Sequence, residues 1–387
     1  ILNLNDIKII KMETKSDKNK LDPNELEEYN VSPNLIYEED IVDIAESTFT
    51  ISDSFEAFMS VKDEKAYIVY QEKESRNLEV LKVLKSKYKL VSIIKGHNSP
   101  ITTIKYFLNK VNNNEYIVSA DYDALIIITS VTEDFKIKSK IKTDYLNGQL
   151  SFCLMIFELN EPCKFDYKNG ILLTSCKNTY VDHHLPIRLW VIDKKGSLNS
   201  VLEYFDFTNG TSYMLHWYNK KEKTNYVIDL GNNKVVFISL LSGNIVHVFK
   251  PEINTWYHSG LIYDDVENDR EILYINTIMS IVFLFDLHKR QVIARIKTSS
   301  QIERLYGMIQ WNDNYILIAG ATASDIKVID IKQNKVISSA YNRHNESVRC
   351  VKRIKHKIYG ECLLTGGDDY TIKLWKNVPN LIISIFE

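Results

Sequence analysis

Leu364–Trp375 reads LTGGDDYTIKLW. It divides into a short apolar run, a tight polar turn and a second apolar run that ends in Trp. That pattern predicts two antiparallel strands joined by a turn. Reading outward, the first half of the unit recurs. AYIVYQ starts at Ala66, YIVSAD at Tyr116, ILLTSC at Ile171, YVIDLG at Tyr226, ILYINT at Ile272, YILIAG at Tyr315 and CLLTGG at Cys362, at intervals of 43–55 residues. Each run ends in a polar or Gly-containing turn. Regular self-similarity at this period predicts a repeat architecture of stacked β-units.

The second half of the unit recurs as well. IIIT ends at Thr129, IRLW at Trp190, VVFI at Ile238, VFLF at Phe285, IKVI at Ile329 and IKLW at Trp375. Four hairpin sequences follow: VIDKKGSL, SLLSGNIV, DLHKRQVI and DIKQNKVI. A Gly or Asn in such a turn supplies the positive φ that the tight connection needs.

LTGGDDYTIKLW, with His344 upstream, resembles the WD40-repeat β-propeller family, and the hairpins resemble that family's WDxxxGxxV turn. The resemblance implies an all-β, seven-bladed WD40-like propeller. It also implies a structural tetrad of His344, Thr365, Asp369 and Trp375, a set that fastens one blade. The physical sense is that a half-buried Asp needs donors, and imidazole, hydroxyl and indole N–H groups supply them. His97, Ser119 and Asp123 match the same positions one repeat into the chain, with Thr129 in place of Trp. The repeat at Trp190 keeps Thr174 but carries KNTYVDHHLP where the short turn belongs. Residues 48–387 are expected to form the propeller and residues 1–47 an N-terminal arm. LIISIFE at the end of the sequence is expected to give the last blade its outer strand, closing the ring without an N-terminal one.

Composition narrows the function classes. The 387 residues are 45% hydrophobic and 25% charged, as for a globular domain, with a net charge of −2. No global basic field points to nucleic acid or an anionic membrane, and no apolar run is long enough to span a bilayer. Cys153, Cys163, Cys176, Cys350 and Cys362 are odd in number and contain no CxxC. A reducing, cytoplasmic compartment is therefore expected rather than a disulfide framework. The sequence begins at Ile1 instead of Met, which suggests a piece of a longer chain.

Catalytic motifs are absent: there is no GxSxG, no GxxxxGK and no HExxH. Cys176, Asp182, His183 and His184 have irregular spacing for a metal site, and neighbouring His residues on a strand point apart. No metal and no cofactor are expected. The Lys-rich KVLKSKYK of Lys82–Lys89 reads as the solvated side of an edge strand that could meet phosphates.

In an antiparallel four-stranded blade, loops alternate between two faces. The face built from the connections between blades and from the turns between second and third strands gathers the aromatic loops. Its candidate partner-binding residues are Trp256, Tyr257 and His258 before one blade, Tyr180, His183 and His184 in the long Lys177–Pro186 loop, and Tyr122, Asp368 and Tyr370 beside the tetrad positions. For Trp256 and Tyr257 the competing reading is a plug between blades. The resemblance implies a non-catalytic scaffold or adaptor that binds protein partners within a larger complex, without nucleic acid or membrane insertion. One alternative is the targeting or substrate-recognition domain of a longer enzyme, such as a kinase or ubiquitin-ligase component, with the catalytic part before residue 1. Another is a propeller enzyme with a site at the channel mouth.

Overall fold

The computed structural model describes residues 36–43 and 55–376, apart from short internal stretches of which 178–186 and 205–210 are the longest. It holds seven four-stranded antiparallel sheets. Blade 1 is β2 (Phe55–Met59), β3 (Ala66–Gln71), β4 (Leu78–Val83) and β5 (Tyr88–Ile94), with β1 (Ile36–Asp43) preceding it in the chain. Blade 2 is β6 (Ile101–Asn109), β7 (Asn114–Asp121), β8 (Leu125–Ser130) and β9 (Lys136–Lys142). Blade 3 is β10 (Gln149–Ile156), β11 (Ile171–Lys177), β12 (Ile187–Ile192) and β13 (Leu198–Tyr204). Blade 4 is β14 (Thr211–Asn219), β15 (Thr224–Gly231), β16 (Val235–Ser239) and β17 (Ile245–Phe249). Blade 5 is β18 (Tyr257–Asp265), β19 (Arg270–Thr277), β20 (Ile281–Asp286) and β21 (Gln291–Lys297). Blade 6 is β22 (Leu305–Gln310), β23 (Tyr315–Gly320), β24 (Ile326–Asp330) and β25 (Lys335–Ala340). Blade 7 is β26 (Val348–His356), β27 (Gly360–Gly367), β28 (Thr371–Lys376) and, on its outside, β1.

All seven apolar runs picked out by the repeat are the second strands of their blades. Each is apolar on both faces because both are buried. In β27, Leu363 packs into the core shared with blade 6, while Cys362 and Leu364 pack into the core shared with blade 1. In β7, Ile117 faces blade 1 and Val118 faces blade 3. Successive side chains point to opposite faces of a strand. A sheet standing between two neighbours therefore needs continuous rather than alternating hydrophobicity.

The described apolar residues form seven clusters, one at each junction between neighbouring blades. The cluster joining Phe55, Ile68 and Leu81 to Cys350, Leu364 and Ile372 closes blade 7 onto blade 1. The ring is thus sealed by side-chain packing as well as by strand exchange.

The closure differs from the sequence expectation. β1 pairs antiparallel with β28, Ile36 opposite Lys376 and Asp43 opposite Thr371. Residues 36–43, assigned to an arm, hold the outer position of the last blade instead. LIISIFE lies outside the described residues. IYEEDIVD has too many acidic residues to stand out as a strand by apolar pattern, so its role comes from a free edge on β28 rather than from its own composition.

The outer strands share a second feature. Between third and fourth strands of blades 1 to 6 the register slips by one residue, at Val91, Lys138, Val201, Val246, Ile293 and Ile337. Such bulges twist an exposed edge and blunt it against pairing with other chains. The hairpins before them take positive φ at Gly243 and Asn334, as expected, and also at Arg290, where a side chain bears the left-handed strain.

A polar clip fastens blades 1 and 2 on the other face. Glu115 is fully buried and accepts hydrogen bonds from Ser60 Oγ at 2.8 Å, Val61 N at 2.8 Å, Lys62 N at 3.2 Å and the Tyr106 hydroxyl at 2.7 Å. Burial, reinforced by Glu115, pushes the Tyr106 phenol well above its usual range. Replacing Glu115 by Ala strands these donors, and a loss of about 3 kcal/mol in unfolding free energy is expected by denaturant titration. Glu115→Gln, which keeps an acceptor, should lose less than half of that.

Candidate partner-binding mouth

In the last blade His344, Thr365, Asp369 and Trp375 form one hydrogen-bonded set. His344 Nδ1 lies 2.9 Å from Asp369 Oδ1, its Nε2 lies 2.7 Å from Thr365 Oγ1, and Trp375 Nε1 donates to Thr365 Oγ1 at 2.8 Å. Asp369 also accepts from the Asn345 backbone at 2.9 Å and the Thr371 hydroxyl at 2.8 Å. Gly367 leaves room for the imidazole: a Cβ there would sit 2.6 Å from His344 Nδ1. Blade 3 keeps part of the set, with Trp190 Nε1 on Thr174 Oγ1 at 2.8 Å.

Blade 2 corrects one assignment. His97 Nε2 meets Ser119 Oγ at 2.8 Å, but its Nδ1 faces Asp121 at 3.2 Å rather than Asp123. The turn has the same length as in blade 7, with Ser119 opposite Ile127 as Thr365 is opposite Lys373. Asp121 stands where blade 7 has Gly367, so a carboxylate reaches the imidazole from two residues earlier. Asp121 takes the Asn98 N–H at 3.1 Å, as Asp369 takes that of Asn345, and caps the turn through Leu125 N at 2.9 Å. Burial raises its carboxyl pKa, but the bond to His97 and these amides outweigh that and hold it below the ordinary value. Asp123 is left exposed at the tip.

The candidate partner-binding residues divide. Tyr257 is fully buried in the core between blades 4 and 5, so it is a plug and not an anchor. Trp256 beside it is half-buried, and its carbonyl accepts the Ile278 N–H at 3.2 Å. Tyr122 is half-buried in its turn, its N–H on the Pro100 carbonyl at 2.9 Å. Tyr180, His183, His184 and Tyr370 lie outside the described residues.

His258 and Asp368, far apart in sequence, stand at the two ends of one line of side chains. The His258 ring lies 5.0 Å from that of Tyr306. The Arg349 guanidinium sits over the other end of the line, 4.1 Å from the Tyr306 ring centroid. Arg349 Nε reaches both carboxylate oxygens of Asp368 at 2.7 Å, and Nη2 adds a further bond. The line crosses blades 5, 6 and 7 on the face of the inter-blade connections. An aromatic ring under a guanidinium held by a carboxylate is a rigid, polar-tipped platform. Arg349 and Asp368 keep 16% and 28% of their side-chain surface exposed, so the platform is open at its charged end.

Backbone contacts hold the platform in place. Ser259 Oγ donates to the Tyr306 carbonyl at 2.6 Å and accepts from Asn276 Nδ2 at 2.8 Å, tying blade 5 to blade 6. Gly307 lets β22 approach β26, since a Cβ there would lie 3.2 Å from Val351 N. The Asp368 N–H bonds the Ser347 carbonyl at 2.9 Å. On the same face a buried ion pair, Lys327 Nζ to Glu303 Oε1 at 2.9 Å, locks the approach to blade 6. Tyr306, Arg349, Glu303 and Lys327 escaped the sequence reading because their partners are on other strands or other blades. One signal was present: Asp368, an extra acid next to the tetrad Asp, calls for a nearby cation. Among the described residues, no group of three or more His, Cys, Asp or Glu side chains could hold a metal ion, and no helix is long and apolar enough to cross a membrane.

Comparison with known proteins agrees with this architecture. The family described as WD domain, G-beta repeat, matches residues 335–376, which covers β25, the tetrad, β27 and β28. No curated protein matches the chain. Among solved structures, the chain is similar to the crystal structure of BBS1N in complex with ARL6DN, soaked with lead, at a TM-score of 0.60 and 8% identity, over 86% of this chain and 94% of that one. The mercury-soaked form of the same complex gives a TM-score of 0.60 and 8% identity, over 89% and 97%. At that identity the likeness speaks for the fold alone. The chain is thus a seven-bladed β-propeller whose last blade, over residues 335–376, matches the WD40 repeat.

Proposed function

We propose that the chain is a non-catalytic scaffold whose mouth, on the face of the inter-blade connections, binds a protein partner within a larger assembly. The observation that carries this reading is the His258–Tyr306–Arg349–Asp368 line. It spans three blades and presents a charged, preorganised tip at its Asp368 end, with the half-buried Trp256 two residues from His258 at the other end. Aromatic and Arg side chains held rigid in this way are the groups that dominate binding energy at interfaces. The ring of blades supplies rigidity, and the hydrogen bonds of Ser259, Asn276 and the Ser347 carbonyl hold the line in place. A propeller of similar fold, BBS1N, is itself seen in complex with another protein, which supports the class of role. A reducing, cytoplasmic setting belongs to the same proposal and rests on the odd cysteine count and the lack of a CxxC in the sequence.

The test is quantitative affinity capture with the wild type and with the triple variant Trp256→Ala, His258→Ala, Asp368→Ala. The expected result is that one or more partners fall by at least about thirtyfold, the effect of losing a hot spot, while the thermal unfolding curve stays cooperative. A folded triple variant that retains every partner would assign binding elsewhere.

A further inference from the structure

We infer that the outer rim of blades 1 and 2 is a docking surface for an anionic lipid layer. β5 is the outermost strand of blade 1 and carries three exposed aliphatic residues: Leu90 at 45%, Val91 at 38% and Ile93 at 43%. The bulge at Val91 brings them together. Tyr88 packs toward the core shared with blade 7, and Ile94 toward the core shared with blade 2. The extra residue reverses the alternation between them, so Leu90, Val91 and Ile93 turn to one side of the strand.

Lysines flank this ridge. Lys89 and Lys95 are exposed at its two ends. On β9, the rim strand of blade 2, Ile137 faces blade 1 and Ile141 faces blade 3 across a second bulge at Lys138. That places Lys140 and Lys142 on the blade 1 side, and Lys140 Nζ reaches the Lys95 carbonyl at 3.2 Å. Lys136, Lys140 and Lys142 are exposed, and neither 88–95 nor 136–143 contains an Asp or Glu. Among these rim lysines, Lys138 pairs with Glu133 at 2.5 Å, and the same carboxylate attracts Lys136.

The apolar ridge and the lysines lie on a convex rim, on opposite sides of one edge strand, so a partner must meet that strand edge-on. Addition of a peptide strand is opposed by the bulge, which breaks the row of backbone groups a new strand would pair with. A nucleic acid would satisfy the lysines but leave the aliphatic ridge without an apolar partner. An anionic bilayer satisfies both: its interface takes up Leu90, Val91 and Ile93 while its phosphates meet the lysines. Blade 1 and blade 2 would rest on the surface, with the mouth at blades 5 to 7 still open to a protein.

Sedimentation with vesicles tests this. The wild type should pellet with phosphatidylcholine vesicles containing about one-third phosphatidylserine, stay in solution with phosphatidylcholine alone, and be released as salt rises. Lys140→Glu with Lys142→Glu should cut the partition at least about tenfold, since each lysine near such a surface is worth roughly fivefold. Leu90→Ser with Ile93→Ser, at exposed positions, should fold normally and also bind more weakly. Failure of the wild type to pellet at low salt would overturn the inference, as would unchanged binding by both folded variants. So would tighter binding to an acidic peptide or an RNA oligonucleotide that does not need Leu90 and Ile93.

Discussion

Trp375→Ala is expected to lower the unfolding free energy by about 3–5 kcal/mol, measured by chemical denaturation. The indole is completely buried, within the core shared by blades 6 and 7, and its N–H also anchors Thr365 Oγ1 at 2.8 Å. The substitution therefore opens a cavity and unties a hydroxyl that His344 needs. Trp375→Phe, which fills most of the space but lacks the donor, should recover more than half of the loss. The carboxylate of the same set adds a pH dependence. Burial raises the Asp369 pKa, but the hydrogen bond and charge of His344, the Asn345 N–H and the Thr371 hydroxyl outweigh it and hold the group well below the usual carboxylate range. A carboxyl depressed on folding gives stability that is fully present above its unfolded value and lost as pH falls through the folded one. Wild-type stability should thus decline below about pH 4, and Asp369→Asn, weaker at neutral pH, should show a shallower decline over that window.

The second large effect is expected from the closing strand. A chain beginning at residue 44 lacks β1 and leaves the outer edge of β28 bare over five aligned residue pairs. At roughly 1 kcal/mol net for each hydrogen bond lost, the cost is about 3–5 kcal/mol, with aggregation through the open edge. Hydrogen exchange should show Thr371–Lys376 losing protection first. A synthetic peptide covering residues 30–47, added in trans, should restore both protection and unfolding temperature. If the shortened chain is as stable as the whole one, β1 is not what closes the ring.

How much of this was legible in the sequence follows from where the constraints sit. AYIVYQ and its six counterparts were readable because a second strand buried on both faces must be apolar throughout. The last blade was readable in detail because all four tetrad residues stand in one short span and Gly367 marks the space the imidazole fills. Blade 2 misled at one residue because two chain positions, 121 and 123, can each offer a carboxylate to the same turn, and only the backbone path decides between them. Tyr257 looked like a surface aromatic because its neighbours Thr255 and His258 are polar, yet it fills the junction of blades 4 and 5. β1 was hidden by its acidic composition, and the Tyr306–Arg349 stack by the fact that its members meet only once the ring is built.

The proposed recognition surface is the mouth rather than the opposite face. Site-specific photo-crosslinking distinguishes the two faces. A photoreactive residue at exposed Asn345, beside Asp368 on the mouth face, is compared with one at Val111 or Val266, exposed at 68% and 80% in the first-to-second-strand loops of the other face. Partner proteins captured from native cells are expected to crosslink at position 345 and not at 111 or 266. Crosslinks confined to 111 or 266 would place recognition on the opposite face.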